Sequence, residues 1–338
     1  MVTNKKNTIY DIADQLNISV ATVSRALNNK TNISPTTKEL VLKAAEKMGY
    51  EQNKLALALK SGKSKTVGVI VPRVDSSFFG SIITGIEEEL NAHNYSVIIC
   101  QTHGDPKKEI ANIDTLLNSQ VDAVFISTSM KDVSALERVL KKGVSLIFFD
   151  RKKTMENVSS VTINDFQGGY SATQHLINTG SKRIAYFSGD LDLEIFQERL
   201  AGYKHALSDN GIEYNENYIF RTESNIDEGK KAAKKLLKLN PLPDAIFSSS
   251  DFAALGAIQE LRANNLNIPE DLSVIGFANE PFTQFMELSI STVDQFPLKM
   301  GRMTAKVFLE QEENPTNMVI HKKVVLEPEL ILRKSTKK

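Results

Sequence analysis

The sequence predicts an all-α helix-turn-helix head followed by an α/β body built on two doubly wound parallel sheets. Three observations carry this. In the first sixty residues the apolar positions fall at helical spacing only, and each run opens on a capping residue. From Thr66 onward, short β-rich apolar runs alternate with helical stretches. After Val161 that rhythm restarts, so two α/β units of similar length follow one another. A chain of 338 residues has room for two or three domains, each with its own core.

The head reads as three short helices. Thr8 and Asp11 stand at capping-box spacing, ahead of Ile9, Ile12, Ala13 and Leu16 at helical intervals. Asn17-Ile18 breaks the first helix, and Ser19 caps a second running to about Asn28, with Val23, Ala26 and Leu27 inward. Ser34-Pro35 pairs a cap with proline at the first helical position, where a missing N–H costs nothing. The third helix is expected to bury Leu40, Val41, Ala44 and Met48 and to end on Gly49. Two helices joined this tightly form a helix-turn-helix, whose second helix enters the major groove. Its outward positions are Val20, Ala21, Ser24, Arg25 and Asn28. Arg25 can grip guanine O6 and N7 with two parallel bonds, and Val20 and Ala21 offer apolar contact to a thymine methyl. Thr22, Ser24 and the helix N-termini suit phosphate oxygens.

In the body, helices are expected over residues 78–93, 107–118 and 133–142, between strands at 66–71, 95–101, 123–127 and 144–149. The second unit has helices at 166–179, 198–210, 227–238 and 252–264, and strands at 184–188, 245–248 and 273–277. In such sheets ligands sit beyond the carboxyl ends of the strands.

Composition narrows the function. Net charge is zero, yet residues 1–63 hold ten Lys/Arg against five Asp/Glu (+5), leaving 31 against 36 (−5) for the rest. A basic head on an acidic body suits a polyanion partner. The single cysteine, Cys100, has no internal disulfide partner and lies in the apolar run Val97–Cys100, where a buried inert thiol is expected. No apolar run is long enough to span a membrane and no secretory signal opens the chain, so a cytoplasmic protein is expected. There is no GxGxxG after a strand, no GxxxxGK[ST], HExxH or GxSxG. The five histidines are scattered away from carboxylate or thiol partners. Catalytic residues, a metal site and a cofactor are therefore not expected.

Three segments, Thr8-Ile9-Tyr10-Asp11-Ile12-Ala13, Ile18 through Asn28, and Gly49-Tyr50, resemble the signature of lactose-repressor/galactose-repressor (LacI/GalR-type) transcription regulators. The body carries further landmarks of that family: Val69-Ile70-Val71-Pro72, Phe149-Asp150-Arg151, Asn164 through Gly169, Arg199 through Tyr203, Ser250-Asp251 and Pro269 through Phe277. The resemblance implies a helix-turn-helix domain at residues 1–52, a hinge helix and linker at 53–63, and a periplasmic-binding-protein-like body at 64–335. The N-lobe would comprise residues 64–162 plus 294–320, and the C-lobe 163–292 plus 322–335. It implies DNA contacts from Thr8, Tyr10, Ser19, Val20, Ala21, Thr22, Ser24, Arg25 and Asn28. Asn53 and Leu55 would contribute from the hinge, and Leu59 would act as a minor-groove wedge. Gln52, where the family usually has proline, and Leu57 depart from the pattern.

For the body the resemblance implies a small-molecule effector, most commonly a carbohydrate, in the cleft between the lobes. Asp75 and Asp150 would accept hydroxyl hydrogen bonds, and Phe78, Phe79 and Phe247 would stack on a ring face. Arg199 would clamp the effector, with Asp251 capping or orienting. Ser250 stands where relatives that bind simple sugars have asparagine, and Ala278 where they have aspartate; Asn279, Gln295 and Ser250 are the compensating candidates. The polar C-terminus lacks the apolar heptads of a tetramerising tail, so a homodimer on a pseudo-palindromic operator is expected. Two other readings share parts of this pattern: the same fold governed by a protein partner on the N-lobe, and a sugar-binding receptor without a DNA function.

Overall fold

In the computed structural model, residues 7–28, 32–50, 62–313 and 320–337 are described, and the chain divides into two units, Met1–Ser64 and Lys65–Lys338. The hinge expectations for Asn53, Leu55 and Leu59, with Gln52 and Leu57, lie outside the described residues.

The head contains α1 (Ile9–Leu16), α2 (Val20–Leu27) and α3 (Pro35–Lys47). Thr8 and Asp11 close a reciprocal capping box, and Asn17 ends α1 in the left-handed region at φ 50°. The hydroxyls of Ser19 and Ser34 accept the N–H groups of Thr22 and Thr37, each at 3.1 Å. After α3 the chain turns at Gly49 (φ 58°), and Tyr50 N–H reaches Ala45 C=O at 2.9 Å, a Schellman closure that needs a residue without Cβ strain. Ile12, Ala13, Val23, Ala26, Val41, Ala44 and Ala45 form the small core. Leu40 is more than half exposed, against the expectation that it is buried; Ala45, on the opposite side of Val41's row, takes the inward place.

In the body, the N-lobe sheet comprises β1 (Thr66–Val71), β2 (Ser96–Gln101), β3 (Ala123–Ile126), β4 (Ser145–Phe149), β5 (Ser159–Ile163) and β11 (Lys323–Leu326). Its strands run parallel in the order β11-β5-β4-β3-β1-β2. The C-lobe sheet is β7-β6-β8-β9, with β6 (Ile184–Ser188), β7 (Ile219–Arg221), β8 (Ala245–Ser248) and β9 (Ser273–Ile275), also parallel. An antiparallel ribbon of β10 (Thr292–Asp294) and β12 (Glu329–Ile331) lies where the chain passes between lobes. Around the sheets pack α4 (Ser77–Asn91), α5 (Pro106–Asn118), α6 (Ser134–Lys141), α7 (Asp165–Asn178), α8 (Glu194–Asp209), α9 (Ile226–Leu236), α10 (Asp251–Ala263), the single turn α11 (Phe282–Phe285) and α12 (Pro297–Glu313).

Three expectations for the body need correction. Residues 323–326, assigned by the sequence to the C-lobe, pair with β5 in the N-lobe sheet, so the third crossing follows Leu326. The helix expected from 198 begins at Glu194, which adds a turn carrying Phe196 to the cleft wall. The run Val97–Cys100 is an edge strand rather than a buried one. Ile98 and Ile99 are 36% and 48% exposed and Cys100 is half-buried, because apolar content alone does not distinguish edge from centre.

The arrangement of α7 against α8 fixes the cleft floor. A Cβ on Gly169 would lie 2.2 Å from Arg199 C=O, and one on Gly202 2.1 Å from Phe166 C=O, so the two backbones touch at reciprocal glycines. Gly202→Ala is expected to force these helices apart and to lower stability by about 1–3 kcal/mol, measurable by urea unfolding. A variant as stable as the parent would show that the crossing relaxes without cost.

Candidate functional site

On the head, the start of α2 presents a compact exposed face. Ala21 and Arg25, four residues apart, lie on the same side of the helix and are both exposed, as is Ser19. Val20 is half-buried against the helical core, which limits the outward contact the sequence suggested for it. Thr8 and Tyr10 are exposed at the start of α1, and Tyr10 is 65% accessible. Asn28 closes α2 by donating its amide to Ser24 C=O at 2.7 Å, while Thr22 and Ser19 pair through their hydroxyls at 2.9 Å. Hydroxyls at the N-terminus of α2 and a guanidinium one turn further along the same helix thus share one exposed side, an arrangement suited to phosphate and base edges.

The body holds a cleft of about 600 Å³ between its lobes, within the size range of small-molecule sites. Its floor is organised by Arg199, which is 4% exposed. Arg199 Nε donates to Asp165 Oδ1 at 2.7 Å, Nη1 to Ser249 C=O at 3.2 Å and Nη2 to Gln295 Oε1 at 3.3 Å. Its guanidinium also lies 3.7 Å from the ring centre of Phe277 and 5.2 Å from that of Phe196. These three bonds engage three of its five N–H donors. Burial pushes the Asp165 carboxyl up to about 6, against the opposing pull of Arg199.

Above this floor, Asp150 sits at the end of β4 in a left-handed conformation (φ 58°) and accepts the Ser127 hydroxyl at 2.8 Å. Burial raises its carboxyl too, opposed by Arg151. Arg151 Nε lies 3.7 Å from that carboxylate, and among the described residues it is the one buried side-chain N or O without a hydrogen-bond partner. Asp150 and Arg151 also line a smaller adjoining cavity of about 280 Å³. Phe78 and Phe79 meet edge to face at 5.1 Å on the N-lobe wall. Asp75 lies at the rim, where the Arg73 guanidinium grips it at 2.7 and 2.9 Å and holds its carboxyl below the usual range.

The cleft therefore brings together Asp75, Phe78, Phe79, Asp150, Arg199, Ser250 and Gln295 of the residues singled out from the sequence. Three others do not line it. Phe247 is wholly buried between Tyr186 and Phe277, because it lies within β8 rather than past a strand end. Asp251 is buried beneath the site and accepts Thr292 Oγ1 at 2.7 Å and Glu280 N–H at 2.8 Å. Asn279 is tied to Asp294 at 3.0 Å and to Arg333 at 2.8 Å. Sequence reasoning missed Phe196, Phe252 and above all Glu280, a 6% exposed carboxylate on the cleft wall that accepts the Ser77 hydroxyl from the other lobe. Its proximity to Ala278 was the available signal.

Among the described residues no group of His, Cys, Asp and Glu is placed to hold a metal ion, and no helix is long and apolar enough to cross a membrane. A helix-turn-helix unit preceding a two-lobed body with an inter-lobe cleft defines a ligand-responsive DNA-binding regulator. Residues 8–53 match the model for bacterial regulatory proteins of the lacI family, and residues 64–327 that for periplasmic binding proteins and the sugar-binding domain of the LacI family. The chain belongs to the LacI family, a family of transcription regulators rather than enzymes. It is 32% identical to the HTH-type transcriptional regulator DegA of Bacillus subtilis (strain 168), over 98% of both chains. Identity to the catabolite control protein A of Priestia megaterium is also 32%, over 98% of this chain and 99% of that protein. Among solved structures, a transcriptional regulator CelR–cellobiose complex superposes with a TM-score of 0.74 at 28% identity, covering 98% of this chain and all of the other.

Proposed function

We propose that this regulator is a homodimer that represses from a pseudo-palindromic operator and is controlled by a carbohydrate bound in the cleft. The observation that carries the reading is the union, in one chain, of the exposed Ala21–Arg25 face with a cleft floored by Arg199 and walled by carboxylates and aromatic rings. Carboxylates that accept hydroxyls beside aromatic faces suit a sugar, and the cellobiose complex of the similar regulator supports that class. Effector binding would change the relation of the lobes across their three crossings and bias the DNA-competent state. A coupling of about 1–3 kcal/mol gives a 5–150-fold change in operator affinity.

Selection of bound duplexes from a random library, repeated at two salt concentrations, tests the DNA reading. A two-fold symmetric motif is expected; binding that depends on salt but yields no motif would count against a sequence-specific dimer. Against that motif, Arg25→Ala is expected to cost about 1–3 kcal/mol and to relax one base-pair preference per half-site. An unchanged motif would remove Arg25 from base readout.

A further inference from the structure

We propose that Glu280 is the specificity-determining carboxylate of the cleft, accepting hydroxyls from an uncharged polyol and turning away ligands that carry an acidic group. The inference rests on the reading of the cleft as an effector site.

The first support is the effort with which the chain delivers this side chain. Ala278 and Asn279 are consecutive non-glycine residues at φ 118° and 51°, conformations that persist only where the surroundings impose them. Each N–H of the turn is held. Ala278 donates to Val293 C=O at 2.9 Å, Asn279 to Thr292 Oγ1 at 3.1 Å and Glu280 to Asp251 Oδ2 at 2.8 Å. The turn sends the Glu280 carboxylate to the cleft wall.

The second support is the charge arrangement around it. Arg73 is matched by Asp75, Lys231 by Glu228 and Arg199 by Asp165, each pair at 2.7 Å; Arg151 lies 3.7 Å from Asp150, its charge opposed though its Nε makes no hydrogen bond. Glu280 meets a hydroxyl instead, that of Ser77 at the start of α4. A ligand hydroxyl replaces Ser77 like for like, whereas a phosphate or carboxylate would bring a second negative charge against Glu280 in a partly desolvated site.

The test is calorimetric titration of the full chain with D-glucose, D-ribose and cellobiose, and with glucose 6-phosphate and D-glucuronate. At least one neutral sugar is expected to bind the parent protein, and the acidic compounds to bind at least tenfold more weakly. Glu280→Gln is expected to weaken the neutral sugar roughly 10–100-fold, the range for loss of a charged acceptor, and to narrow the gap to the acidic compounds. Ser77→Ala, which removes only the competitor for the carboxylate, is expected to preserve or raise neutral-sugar affinity. Preference of the parent for an acidic compound, unchanged discrimination in Glu280→Gln, or a loss of neutral-sugar binding in Ser77→Ala would each overturn the proposal. If no compound of either class bound the parent, the sugar-site reading itself would fall first, before either variant was informative.

Discussion

Replacing Arg199 by alanine is expected to lower the stability of the body by about 3–5 kcal/mol, because it strips the counter-charge from a carboxylate that stays buried. Asp165 is 7% exposed and takes the Arg199 Nε–H at 2.7 Å. The same truncation uncovers Ser249 C=O and Gln295 Oε1 and removes the cation between Phe196 and Phe277. For a unit of this size the melting temperature should fall on the order of 10 °C. The cause can be separated from lost packing. Adding Asp165→Asn to Arg199→Ala removes the orphaned charge and should recover part of the loss. Acidification should recover part as well, since a protonated Asp165 needs no partner. A single variant within about 1 kcal/mol of the parent, or a double variant no better than the single, would show that the pair does not govern the fold.

What the sequence disclosed of this molecule follows the range of the forces involved. Thr8, Ser19, Ser34 and Gly49 act within one helical turn of themselves, so their capping roles are written locally, and the structure has them there. The alternation of apolar runs and helical stretches is equally local and implies parallel sheets. Short pieces were illegible for the same reason. Three-residue β7, β10 and β12 carry too little pattern, and β11 joins the N-lobe sheet only because a distant strand, β5, offers it an edge. Within the site, Phe247 and Phe277 read alike as apolar strand-end residues. Which one lines the cleft depends on its place along the sheet, not on its face: Phe247 lies within β8, whereas Phe277 stands two residues past the end of β9 and lines the cleft. Glu280 depends on still more distant matters, a left-handed turn held by Asp251, Thr292 and Val293 from two other segments.

Asp251 gives the remaining large effect, a dependence of stability on pH. It is fully buried, and burial pushes its carboxyl up to about 7, despite the bonds from Thr292 and Glu280 that favour the ionised form. In the unfolded chain the same group titrates near 3.9. The folded state therefore binds this proton more tightly, so stability is full at acidic pH and declines as pH rises from about 4 to 7. A displacement of about three units corresponds to at most about 4 kcal/mol. Asp165 titrates in the same sense, while Asp75 and Asp192, held low by Arg73 and Lys131, act in the opposite sense from the exposed surface. Asp251→Asn keeps the size of the side chain and one acceptor oxygen but has no proton to lose. Urea unfolding across this pH range should show a falling curve for the parent and a flatter one for Asp251→Asn; parallel curves would assign the dependence elsewhere. The slope is the readout, not the absolute stability, because the amide also exchanges one acceptor for a donor. The bonds that Asp251 accepts, from Thr292 at one oxygen and from the Glu280 N–H at the other, favour its ionised form and so oppose burial. The energetic cost of keeping that charge buried is thus tied to holding the turn that presents Glu280 to the cleft.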